Sequence, residues 1–190
     1  EDPAAEVNVT AFYLAYHGRN DRGLQERIAT LHLACCPSLA HIAPHCRTPV
    51  MRKGGRIRIA VVSRFLYRHS IGRVVQGLIA KLDRSRFIVD ACSFDAPCDS
   101  VSAAIERDAD AWVTLPRALA AAREALAHRA YDVLLYPDIG MDPTTYFMSF
   151  ARLAPVQCTT WGHPVTTGVP NVDYFLSTDY FEPEGAEAHY

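Results

Sequence analysis

From Arg56 to the C-terminus, short apolar runs rich in isoleucine and valine alternate with longer amphipathic segments, and this rhythm constrains the fold more than any other feature. RIRIAVVS (56–63), FIVDACSF (87–94), AWVTL (111–115), YDVLLYPDIG (131–140), VQCTTWG (156–162) and VDYFLST (172–178) read as strands. Between them, IGRVVQGLIAKL, SVSAAIERDA, LPRALAAAREALAHRA and TTYFMSFARL carry helical spacing. Strand and helix in strict alternation predict βαβ units, hence an α/β fold: a Rossmann-like parallel sheet with helices on both faces.

The first fifty residues follow a different pattern. Leu24, Ile28, Leu31 and Cys35 recur three to four apart, Asp21 stands where a cap is expected, and Pro37 closes the segment, which predicts one helix. The polar stretch HCRTPVMRKGG (45–55) separates this pattern from the alternation. The expected organisation is a helical lead-in over residues 1–53 and a Rossmann-like lobe over residues 54–190. A chain of 190 residues suits one main domain with such an appendage.

Composition removes several function classes. Nineteen basic and 21 acidic residues give a net charge of −2, so there is no bulk electrostatic reason to bind nucleic acid or an anionic membrane. No apolar run approaches the ~18 residues of a membrane span, and EDPAAEVNVT lacks the character of a signal peptide. The chain therefore reads as cytoplasmic. Six cysteines without a CxxC pair or Cys/His ligand spacing predict no metal site, and they read as reduced, structural thiols. No GxGxxG follows the first strand and no GxxxxGK[ST] occurs, which disfavours dinucleotide binding and a P-loop.

In parallel sheets ligands meet the loops beyond the strand carboxyl ends. Those loops here are RFLYRHSIG, DAPCDS, PDIGMDPTT and GHPVTTGVPN. His69 stands at the entrance of the helix beginning near Ser70, where an imidazole could take a proton beside a helix N-terminus that holds an anion; the plainer reading is a solvated histidine with Ser70 as cap. His163 lies in a turn with Gly162, Pro164, Thr166, Thr167 and Gly168; the threonines could donate to an oxygen-rich ligand, or the turn could satisfy only itself. Asp138 follows an apolar strand and could accept from a sugar hydroxyl, orient a histidine or bond its own loop, whereas Asp142-Pro143 reads as a helix cap. His17 in a His-Gly pair before the first helix is a weaker substrate-contact candidate, and the Arg152–Pro155 corner reads as structural. The arginines of LPRALAAAREALAHRA read as the solvated side of an amphipathic helix.

The order RIRIAVVSRFLYRHS, YDVLLYPDIGMD, RLAPVQCTTWGHPVTTGVPNVDYFLSTD resembles the N-terminal catalytic lobe of the O-linked N-acetylglucosamine transferase family, including bacterial relatives that glucosylate asparagine in the cytoplasm. FYLAYHGRNDRGLQ is similar to the segment leading into that lobe, so the resemblance runs from Phe12 to Tyr190. It implies one lobe of a GT-B enzyme that moves a sugar from a UDP-sugar to a protein side chain by inverting, metal-independent transfer. It implies no cofactor beyond the donor substrate. Under it His69 matches a proposed catalytic base or acceptor-positioning histidine, and Gly162, His163, Thr166, Thr167, Asp138 and His17 become substrate contacts. His163 agrees with the asparagine-modifying relatives and Gly168 with the O-linked ones, which leaves the acceptor type open. The resemblance also implies that the two strands flanking GHPVTTGVPN are central to the sheet. A C-terminal nucleotide-binding lobe and upstream helical repeats are its expected partners in the parent protein, and the lobe alone is expected to be inactive. A non-catalytic binding or scaffolding domain and a sugar-phosphate or epimerase-type α/β enzyme are the alternative readings.

Overall fold

The structure, a computed structural model, describes residues 2–47 and 54–190. The lead-in comprises α1 (Pro3–Glu6), a 3-10 turn at Phe12–His17, α2 (Arg22–Cys35), a second such turn at Pro37–Leu39, and α3 (Pro44–Arg47). Then follow β1 (Ile57–Val62), α4 (Ser70–Lys81), β2 (Phe87–Ser93), α5 (Ser100–Asp108), β3 (Ala111–Thr114), α6 (Leu119–Arg129), β4 (Val133–Tyr136), α7 (Pro143–Ser149), β5 (Val156–Thr160) and β6 (Tyr174–Leu176). The stretch expected to separate the two parts, residues 45–55, lies mostly outside the described residues.

The six strands form one sheet in the order β3-β2-β1-β4-β5-β6, and every pairing is parallel. This is the predicted Rossmann-like arrangement. Its period-2 alternation splits the core in two. Ala60, Val62, Cys92, Leu134 and Tyr136 pack on one face with Leu119, Ala122 and Leu126 of α6 and Phe147 of α7. Val61, Val89, Ala91, Leu135 and Cys158 pack on the other with Ile71, Val75 and Ile79 of α4 and Ile105 of α5. Because both faces are covered, β4 and the Ile59–Val62 part of β1 read as continuous apolar runs rather than as alternating ones.

The order reverses between β1 and β4. β2 and β3 extend to one side of β1, and β4, β5 and β6 to the other. At such a switch point the loops after the two central strands diverge and leave a crevice at their carboxyl ends.

Several local expectations are corrected here. The predicted helix exists as α2, but its buried face is Gln25 and Ala29, whereas Leu24 and Leu31 are exposed. Asp21 holds the cap position without a capping bond; Asn20 Oδ1 accepts from Arg22 N instead, at 3.1 Å. β6 is a three-residue strand at the edge of the sheet, not a central one. Arg123 is 7% exposed rather than solvated, because its guanidinium donates to the Ser38 carbonyl at 3.2 Å and the Phe147 carbonyl at 2.8 Å. It thereby ties the lead-in to α6 and α7. Ala43 N and Arg152 N complete the tie by bonding Arg152 O and His41 O. Ala29, Leu39 and Ala43 of the lead-in join the α6/α7 face of the core. Among the described residues no helix is long and apolar enough to cross a membrane, and all six cysteines are free.

Candidate functional site

The loops after β1 and β4 meet across the switch point. Ser63, the residue after β1, is fully buried and donates its hydroxyl to Asp138 Oδ2 at 2.9 Å, while its Oγ accepts from Phe65 N at 2.9 Å. Arg64 Nη1 reaches Asp142 Oδ2 at 3.0 Å. Asp142 also caps α7 as expected, with Oδ1 accepting from Thr144 N and Thr145 N and Pro143 following as the first helical residue. One loop therefore hangs from the other by two side-chain bonds.

Asp138 is completely buried, and its Oδ1 has no hydrogen-bond partner among the described residues. Burial pushes its pKa up to about 7; the Ser63 bond opposes this, and the charge of Asp142 adds to it. Burial thus favours the neutral form of this acid far more than water does. An unpaired buried carboxylate is costly, and taking up a proton relieves the cost.

The loop after β5 joins this cluster. Thr160 Oγ1 donates to Pro137 O at 2.9 Å, and Gly162 N donates to Thr160 Oγ1 at 3.3 Å. A Cβ on Gly162 would fall 2.1 Å from the Pro137 oxygen and 2.6 Å from Ile71 Cδ1, so glycine is required by close approach. Ser70, Ile71, Val74, Pro137, Thr160 and Trp161 line a cleft of about 160 Å³ here.

His69 flanks this cleft, and it, not Ser70, is the cap of α4. Its backbone is extended (φ −133°, ψ 161°) and its Nδ1 accepts from Ile71 N at 3.2 Å. The ring stacks on Phe65 with centroids 4.5 Å apart. Desolvation lowers its pKa from the ordinary 6.5. Gly72 lets the preceding loop fold onto the helix, since a Cβ there would lie 2.0 Å from Tyr67 O.

The second half of the sequence-predicted set lies on the other side of the β4 loop, under the lead-in. His163 is 3% exposed; its Nε2 lies 3.1 Å from the Phe12 carbonyl and its ring packs on the Phe12 ring at 5.2 Å. Gly140, at φ +104°, presents its backbone to the same imidazole, and Thr10 Oγ1 donates to the Gly140 carbonyl. Thr167 is buried and accepts from Val169 N, and Thr166 lines a small cavity with Gly140 and His163. Gly168, at φ +65°, packs against the Gln25 backbone of α2. His17 is exposed at the end of the first 3-10 turn.

Gly162 thus lines the cleft, His69 adjoins it next to Ser70, and Asp138 lies fully buried behind Pro137. His163, by contrast, bonds the lead-in at Phe12, and Thr166 and Thr167 line the small cavity between that loop and the lead-in. Sequence reading missed Ser63, Arg64 and Trp161. Their common signal is position at the carboxyl end of β1 or β5, and it becomes legible once the strand order is known. Among the described residues, no three His, Cys, Asp or Glu side chains gather as a metal-binding group.

The fold and switch-point geometry define a Rossmann-like lobe with its crevice at the strand carboxyl ends. No family model matches the chain. Of solved structures, a mutant O-GlcNAc transferase of Thermobaculum terrenum is similar at a TM-score of 0.70 and 28% identity, over 85% of this chain and 32% of that one. Of curated proteins, a UDP-glucose:protein N-beta-glucosyltransferase of Actinobacillus pleuropneumoniae serotype 7 (strain AP76) is 43% identical over 56 residues, 30% of this chain and 9% of that protein. The same-named protein of serotype 5b (strain L20) is 45% identical over 47 residues, 25% of this chain and 8% of its own length. The chain therefore spans about a third of the solved relative, and its matches cover less than a tenth of each curated one. The resemblance read from the sequence stands on these comparisons: in fold the chain matches a lobe of an O-GlcNAc transferase, and in sequence it is similar to protein glucosyltransferases.

Proposed function

We propose that this chain is the N-terminal lobe of an inverting, metal-independent glycosyltransferase that moves N-acetylglucosamine or glucose from a UDP-sugar to a protein side chain in the cytoplasm. The observation that carries the reading is the 28% identity and 0.70 TM-score to an O-GlcNAc transferase over 85% of the chain, combined with a polar cluster at the switch point, where α/β sheets take ligands. In this reading His69 meets the reacting groups. Gly162 offers backbone to the substrate; His163 and Thr167, buried under the lead-in, shape the loop that approaches the substrate, and Thr166, less buried on the same loop, is the contact to it. Asp138 acts through Ser63 by fixing the loop that carries His69, and His17 stands at the rim toward the acceptor. The donor is a substrate and no further cofactor takes part. A second, nucleotide-binding lobe and upstream helical repeats complete the enzyme, and the single lobe does not turn over.

The test is transfer of labelled sugar from UDP-glucose and UDP-N-acetylglucosamine to lysate proteins by the full-length gene product, with and without EDTA. Label on protein, insensitive to EDTA and lost in His69→Ala, supports the reading. No label from either donor, or turnover by the isolated chain at the full-length rate, overturns it.

A further inference from the structure

The hydrogen bonds of His69 fix which chemistry its imidazole can perform. A neutral imidazole carries one N–H and one lone pair, and the bond made by one ring nitrogen sets the role of the other. Ile71 N, a backbone donor in the first turn of α4, points at Nδ1 from 3.2 Å. The lone pair is therefore on Nδ1 and the proton on Nε2. Moving the proton to Nδ1 would set two N–H groups against each other and uncap a twelve-residue helix.

The ring is also held in place. It stacks on Phe65 at 4.5 Å with 23° between planes, and Tyr67 meets it edge-on at 6.1 Å. Its backbone is tied by His69 N to Tyr67 O at 2.6 Å and by Arg73 N to His69 O at 3.1 Å. Ser70 Oγ is 3.5 Å from the same Nδ1 and adds at most a weak second contact. Among the described residues Nε2 has no protein partner, and His69 is only half-buried at the flank of the cleft walled by Ser70 and Ile71.

We propose that His69 serves the glycosyltransferase reaction as a fixed hydrogen-bond donor, presenting Nε2–H to a substrate oxygen, and not as the base that removes the acceptor's proton. The inference rests on the proposed function above. The oxygen it suits is one that is anionic or gains charge as the sugar transfers, because a preorganised donor stabilises developing charge in a site that excludes water. A neutral histidine held at a helix N-terminus is a known way to supply such a donor. As the acceptor–sugar bond forms and the sugar–phosphate bond breaks, the proton of the acceptor then leaves to the released diphosphate or to water, and not to His69.

Two measurements test this and fail separately. In the isotope-labelled chain, two-bond nitrogen–proton correlations of the His69 ring above its pKa are expected to give Nδ1 as the unprotonated nitrogen and Nε2 as the protonated one. A protonated Nδ1, or an equal mixture, overturns the proposal whether or not the protein transfers sugar. In the full-length gene product, His69→Asn keeps a cap and an amide donor, whereas His69→Asp keeps a cap and a potential base but has no donor. The donor role predicts that His69→Asn, whose amide N–H ends short of the Nε2 position, loses kcat/KM but retains at least ~10-fold more of it than His69→Asp, which falls by ~100-fold or more, the usual effect of deleting one such donor. It also predicts an acid limb of the pH profile shared by wild type and His69→Asn. Higher activity in His69→Asp than in His69→Asn, or loss of the acid limb in His69→Asn, overturns it. A wild-type enzyme that transfers no sugar refutes the proposed function, and the tautomer measurement still decides the state of the ring.

Discussion

Replacing Asp138 by asparagine should change how stability responds to pH more than it changes stability itself. The carboxyl is fully buried, and its pKa rises from 3.8 to about 7, mainly by desolvation. A group whose pKa is raised on folding holds its proton more tightly in the native state. Its contribution is therefore complete below pH 3.8 and is lost as pH climbs through about 7. That interval corresponds to ~4 kcal/mol in all, falling at ~1.4 kcal/mol per pH unit. The asparagine side chain would not titrate. Its oxygen can still accept from Ser63 Oγ, but its amide inherits the place of an unpartnered atom, which costs ~1–3 kcal/mol at every pH. Asp138→Asn should therefore be the less stable protein near pH 4 and the more stable one near pH 8. The assay is urea unfolding of both proteins at several pH values, taking midpoint and slope together. Parallel profiles from pH 4 to 8 would refute the reasoning, because they would mean the buried acid titrates as if it were in water.

Two further outcomes follow from packing and exposure. Gly162→Ala should destabilise by ~1–3 kcal/mol in thermal or urea unfolding, since its Cβ has nowhere to go between Pro137 and Ile71, whereas Gly77→Ala, which has open space in α4, should be neutral or stabilising by up to ~1 kcal/mol. With maleimide at pH 8, exposed Cys35 and Cys98 should react at least ~10-fold faster than Cys92 and Cys158, whose pKa values burial pushes up to about 12 and 11; equal rates at all four would contradict the core as described.

The fold was legible because parallel strands covered on both faces are apolar at most positions, with Asp90 and Gln157 as buried exceptions, which marks them as runs, and because the helices between them keep a helical period. Element type is a local property. Facing is not. In α2 the leucine spacing suggested one stripe, but the lead-in packs through the short side chain of Ala29 and the amide of Gln25, leaving Leu24 and Leu31 outside. Arg123 looked solvated because its compensation comes from two carbonyls far away in the chain. The site divides in the same way. Loop position alone singled out His69, Asp138 and Gly162. The partner of Asp138 stands 75 residues away, and only the adjacency of β1 and β4 brings Ser63 to it. The cap role of His69 was hidden because Ser70 is the more usual capping residue type.

The most direct measurement of the central claim is the intact mass of an acceptor protein after incubation with the full-length gene product and equal UDP-glucose and UDP-N-acetylglucosamine. The account predicts addition of a hexose or an N-acetylhexosamine to the acceptor, with none when the 190-residue chain is used alone. An unmodified acceptor in the full-length reaction would contradict it.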